Sequence, residues 1–179
     1  MHDNLIKNHL FSDCDLSNME IDIPSGNDVI TTDSRKTKSY VFSNGRKEIS
    51  EARETCTKRG MILANMTKDI EWNAIETYLR DENPNIFYAI DVIVKESDDG
   101  TENFVWSQDE GIVPERSGWQ FRLEHNFQNP INGNGLCAVV RYKESEESFV
   151  LTRKACHQSQ GQNMYRYICQ ADCILPECK

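Results

Sequence analysis

No apolar run in the 179 residues approaches the length, about 18 residues, that a membrane-spanning helix requires, so membrane insertion is not expected of this chain. Positive charge is scarce as well: 20 Lys and Arg stand against 29 Asp and Glu, a net charge of −9. A surface of that sign repels phosphate, which argues against nucleic acid and anionic lipid as partners. The start, Met1-His2-Asp3-Asn4-Leu5-Ile6-Lys7, lacks the basic and apolar stretches of a secretory signal. The expectation is a processed chain or an ectodomain.

The signatures of catalysis are missing too. The four histidines, His2, His9, His125 and His157, form no HExxH pair, and there is neither a GxSxG elbow nor a phosphate loop. Asn132-Gly133-Asn134-Gly135 reads as a turn, and His157 as a loop residue rather than a general base. A zinc site built from Cys169, Cys173, Cys178 and His157 has the right number of ligands but not the spacing of a standard finger. No enzyme and no resident metal is expected.

What the chain does have is cysteine: seven, at positions 14, 56, 137, 156, 169, 173 and 178. So many thiols in so short a chain point to an oxidising compartment, hence to a secreted protein or a cell-surface ectodomain. Asn65-Met66-Thr67 is an N-glycosylation acceptor motif and adds modestly to that reading.

Residues 1–37 carry seven acidic and three basic side chains with scattered apolar positions, and read as an acidic arm or stalk. A domain is expected over residues 38–171, followed by a cysteine-containing tail, residues 172–179. Ser39 to Ser43 has the Tyr-Val-Phe core of a strand. Ile49, Ala52 and Cys56 recur at i, i+3 and i+7, which predicts an amphipathic helix over Lys47 to Arg59 with Gly60 as its stop. Met61 to Ala64 reads as a short strand. Thr67 then caps a second expected helix running to Arg80, with Ile70, Ala74, Ile75, Tyr78 and Leu79 as its apolar stripe. Beyond Asn83-Pro84-Asn85 the chain reads as strands, at Ile86 to Val94, Asn103 to Ser107, Leu136 to Tyr142, Ser148 to Arg153 and Met164 to Cys169. Between Ser107 and Leu136 lies a long aperiodic loop, a length that is usually functional or disordered.

This order of elements, with the spaced cysteines, resembles the C-type lectin-like domain. Glu51-Ala52-Arg53-Glu54-Thr55-Cys56, continuing through Gly60 to Leu63-Ala64, resembles the family's first-helix signature. Tyr88-Ala89-Ile90-Asp91 stands where the family usually has Trp-Ile-Gly-Leu. Phe104-Val105-Trp106-Ser107, with Asp109, Gly111 and Trp119, resembles the approach to its long loop, and Tyr167-Ile168-Cys169 its closing strand. The resemblance implies an α+β fold of two helices, antiparallel sheets and a long irregular loop. It also implies disulfides Cys56–Cys169 and Cys137–Cys156. Cys14, Cys173 and Cys178 are left over. Either Cys14 pairs with Cys173 or Cys178, or those two close a small ring and Cys14 links two chains as a disulfide-bonded homodimer.

Sugar-binding members of the family hold calcium with a Glu-Pro-Asn or Gln-Pro-Asp triplet, an acidic pair before the third cysteine, and Trp-Asn-Asp before the fourth. Here Gly135-Leu136 replaces the acidic pair, Leu151-Thr152-Arg153 replaces Trp-Asn-Asp, and the nearest triplet is Gln128-Asn129-Pro130. A guanidinium at Arg153 repels a cation, so calcium is not expected at the usual sugar site. The acidic run Glu96, Asp98, Asp99 and Glu102 reads as a solvated loop. The expected function is recognition of a protein ligand without calcium. Arg116, Trp119, Phe121, Arg122, His125, Phe127, Arg141 and Arg153 are the candidate contacts, Trp119 more as loop core. The alternative is a glycan held by Asn126, Gln128, Asn129, Asn132 and Asn134.

Overall fold

In a computed structural model, the described residues are 28–31, 38–109, 111–122, 135–157 and 164–171. Nine strands and two helices follow in order: β1 (Asp28–Thr31), β2 (Ser39–Phe42), α1 (Ile49–Lys58), β3 (Ile62–Leu63), α2 (Asp69–Asp81), β4 (Tyr88–Glu96), β5 (Glu102–Trp106), β6 (Trp119–Arg122), β7 (Leu136–Lys143), β8 (Ser148–Ala155) and β9 (Arg166–Ala171). The sheet runs β1-β2-β9-β4-β7-β8-β6, with β3 on β9 and β5 on β4. Most pairs are antiparallel; β4 with β9 and β6 with β8 are parallel.

The central strands are buried on both faces, which is why they read as continuous apolar runs rather than as alternating ones. Tyr40, Phe42, Tyr88, Ile90, Val140 and Ile168 point to one face, where α2 supplies Trp72, Ile75 and Leu79. Val41, Ala89, Val139, Tyr167 and Cys169 point to the other, where α1 supplies Ile49, Ala52 and Cys56. Those three α1 residues are fully buried, as their 3.6-residue spacing predicts. Burial of a side chain as large as Ile49 or Leu79 contributes about 1.5–3 kcal/mol. Gly60, at φ 69°, takes the left-handed conformation that ends α1.

Three local expectations are corrected. Thr67 is not the cap of α2: Glu71, in the first turn, reaches back to accept the backbone N–H of Thr67 at 2.7 Å and of Lys68 at 3.2 Å. Ile70 is outside the apolar stripe, 47% exposed, and Trp72 takes its place in the core. The long loop contains a strand, β6, whose partner β8 lies far along the chain. In addition β1 falls inside residues 1–37 and pairs with β2, so the sheet edge takes in part of the segment read as an arm. No helix among the described residues is long and apolar enough to cross a membrane.

Candidate functional site

Cys56 is bonded to Cys169 and Cys137 to Cys156, the two bridges the resemblance implies. The first ties α1 to β9. The second ties the start of β7 to the end of β8, at the base of the long loop. There Ser50 also donates its N–H to the Cys156 carbonyl at 3.0 Å, and His157 Nδ1 lies 2.7 Å from Glu48 Oε2.

β7 and β8 pair in register, and alternation therefore divides the candidate residues between two faces. Arg141 lies opposite Val150, and Arg153 opposite Ala138, so the two arginines point to opposite sides of the pair. Arg122, at the end of β6, is level with Thr152 and shares the face of Arg141.

Arg153 is 9% exposed, and its Nη1 lies 2.5 and 2.6 Å from the two oxygens of Glu102 on β5. It is a clamp inside the sheet, its charge held by Glu102 rather than presented to solvent. Glu102, the last acid of the run beginning at Glu96, is correspondingly not a solvated loop residue. Leu151 and Thr152 beside Arg153 are also buried, at 0% and 1% exposure. The two segments described here, Gly135-Leu136 and Leu151-Thr152-Arg153, contain no carboxylate of their own, and the one beside them, Glu102, is held by Arg153. The acidic run itself holds Asp99, whose carboxylate accepts the Thr101 N–H at 2.9 Å and is thereby held below the usual aspartate value. Among the described residues, no group of three or more His, Cys, Asp or Glu is arranged to hold a metal.

Arg116, Trp119 and Phe121 are half-buried and pack against neighbouring side chains, in keeping with Trp119 as loop core. Arg116 lies over the Trp72 ring at 5.1 Å and bonds Asp69, Glu76 and Asn73 of α2. Trp119 stacks on Phe149 and meets Trp72 edge-on. Phe121 meets Phe104 edge-on. Arg122 donates to Gln120 Oε1 and pairs with Glu146, which Lys143 also holds. The Lys143 hydrogen bond and then the Arg122 charge keep the Glu146 carboxyl below the ordinary glutamate value.

Arg141 is placed differently. Its guanidinium lies over the Phe87 ring, 4.2 Å from the centroid, and Lys154 Nζ is 5.9 Å from the same centroid. Phe87 precedes β4 and reads in the sequence only as one apolar residue of the strand expected over Ile86 to Val94, because its place under Arg141 depends on the β4–β7 register. Asn65 is 8% exposed, with its Oδ1 facing Lys38 Nζ at 3.3 Å. His125, Asn126, Phe127, Gln128, Asn129, Asn132 and Asn134 lie outside the described residues, as do Cys14, Cys173 and Cys178.

The sequence matches no protein-family model and no curated protein. Solved structures do match. TC14, a C-type lectin from the tunicate Polyandrocarpa misakiensis, is 21% identical over 76% of this chain and 99% of its own, with a TM-score of 0.52. The C-type lectin domain of murine dendritic cell inhibitory receptor 2, in complex with N-glycan, is 15% identical over 80% and 96%, with a TM-score of 0.51. SPL-1, in complex with GlcNAc, is 17% identical over 86% and 97%, with a TM-score of 0.52. With two helices, a mixed sheet and its two bridges in matching places, the chain has the C-type lectin-like fold.

Proposed function

We propose that this chain is an extracellular, non-enzymatic recognition module that binds a protein ligand without calcium. The observation that carries the reading is the Arg153–Glu102 clamp. Where the resemblance would place a calcium-ligating aspartate, a nearly buried guanidinium is held by a carboxylate of the chain's own β5. A cation at that point would have to break a charge-assisted pair and would then face the freed guanidinium. The bridged cysteines support an oxidising, extracellular setting.

The test is thermal unfolding of the full chain with about 5 mM calcium and with excess chelator, because a ligand bound only by the folded state raises the midpoint by mass action. An unchanged midpoint is expected. A rise of several degrees in calcium overturns calcium independence. Capture of a secreted or cell-surface protein in a partner screen, with no hit on a glycan array, tests the ligand class.

Glycan binding is the second reading, favoured by one observation: two of the similar structures hold sugar, N-glycan in one and GlcNAc in the other. A covalent homodimer is part of the proposal as well, since two bridges use four of seven cysteines and an odd number remains. Non-reducing against reducing gel mobility checks it; a monomer band in both lanes overturns it.

A further inference from the structure

We propose that the sheet face carrying Arg141 binds an acidic segment of a protein partner, with one carboxylate seated on the Arg141 guanidinium. The inference rests on the reading of the chain as a protein-binding module and names the chemistry of the partner. Register places four cations on this face: Arg141 opposite Val150, Lys143 opposite Ser148, Lys154 opposite Cys137, and Arg122 level with Thr152. Glu146 offsets part of that charge through Arg122 and Lys143. Arg141 is not so engaged. It is half-buried, its plane is fixed against Phe87 at 4.2 Å, and its Nε is buried with no hydrogen-bond partner among the described residues.

Stacking orients a guanidinium without using its N–H groups, so the fork is preorganised for two oxygens of one carboxylate. Phe87 is held in turn by an edge contact with Tyr165, 6.2 Å between centroids. Charge complementarity also selects the kind of partner. A long polyanion would meet the repulsion of a chain carrying −9 overall, whereas a short acidic segment senses mainly the charges within the screening length, about 8 Å at physiological salt.

The test uses a fluorescein-labelled hexaglutamate peptide as probe and reads its anisotropy with the full chain at low ionic strength. Arg141→Gln is expected to weaken binding by about tenfold or more, and Arg141→Lys, which keeps the charge but loses the fork, by less. Arg80→Gln removes the same charge from an exposed arginine of α2 and is expected to leave binding unchanged. Matching thermal midpoints of the variants show that folding is not at issue. Absence of binding, or equal binding by wild type and Arg141→Gln, overturns the proposal while leaving protein recognition elsewhere on the domain to the partner screen. Tighter, Arg141-dependent binding of heparin overturns the assignment to a protein partner.

Discussion

Glu76 Oε1 accepts the indole N–H of Trp119 at 2.7 Å, fastening the strand inside the long loop to the outer helix α2. The same oxygen lies 3.2 Å from Arg116 Nε. One carboxylate therefore holds two loop residues, while the Trp119 ring lies against Trp72 and Phe149. Glu76→Ala strands both donors in a partly buried place and is expected to cost about 2–3 kcal/mol by denaturant unfolding. Glu76→Gln keeps an acceptor for the indole and should cost less. Equal costs would show that charge, not the indole bond, carries the contact.

Arg153 and Glu102 sit 51 residues apart in sequence and form a two-oxygen pair at 11% and 27% side-chain exposure. Glu102→Ala leaves the guanidinium nearly buried without that counter-charge, at an expected cost of about 2–4 kcal/mol. Arg153→Met should cost less, because the carboxylate left behind is the more exposed partner. A double-mutant cycle of the two by denaturant unfolding is expected to give a coupling of about 1.5–3 kcal/mol. A coupling near zero would show that the pair is ornamental, and would remove the main support for calcium independence.

The helix α1 was legible because its three core positions repeat at helical spacing and the helix covers one flat face. The central strands were legible as apolar runs. Local sequence failed where the deciding contact is distant. Trp119–Arg122 is four residues long and becomes a strand through parallel pairing with β8. Arg153 reads as a surface cation until β5 brings Glu102 to it. Thr67 carries the usual capping side chain, yet Glu71 satisfies the helix start from within, and Lys38 Nζ stands 3.2 Å from that buried carboxylate. Arg141 is a candidate on sequence grounds, but its distinguishing feature, the Phe87 ring beneath it, exists only in the folded register.

The two bridges close loops of very different size, with sequence separations of 113 and 19. In the chain-entropy account, removing Cys56–Cys169 by a double alanine substitution should cost about 4–5 kcal/mol, and removing Cys137–Cys156 about 3 kcal/mol. Denaturant unfolding of the two double variants measures the difference. Cys56 and Cys169 are also core residues at 0% and 1% exposure, which adds a packing loss in the same direction. A larger cost for Cys137–Cys156 would mean that the base of the long loop, rather than the attachment of α1, limits stability.

Asn65 has the sequence of a glycan acceptor but the position of a core polar residue. It is 8% exposed; its N–H donates to Gln170 Oε1 at 3.0 Å, its carbonyl accepts the Tyr40 hydroxyl at 3.4 Å, and its Oδ1 faces Lys38. A sugar on the side-chain nitrogen would need that nitrogen to reach solvent, which conflicts with this packing. Protein secreted from a glycosylating host is therefore expected to show unchanged gel mobility after peptide N-glycosidase. Two substitutions separate motif from structure. Thr67→Ala abolishes the acceptor motif and should leave mobility unchanged; it loses only the 3.3 Å bond from the Thr67 hydroxyl to Glu71, at an expected cost of about 0.5–1 kcal/mol. Asn65→Ala abolishes the same motif but leaves Lys38 without one of its oxygens, at an expected cost of about 1–2 kcal/mol. A mobility shift with Thr67→Ala would mean that the Asn65 side chain turns outward before the strand β2 and helix α2 close around it.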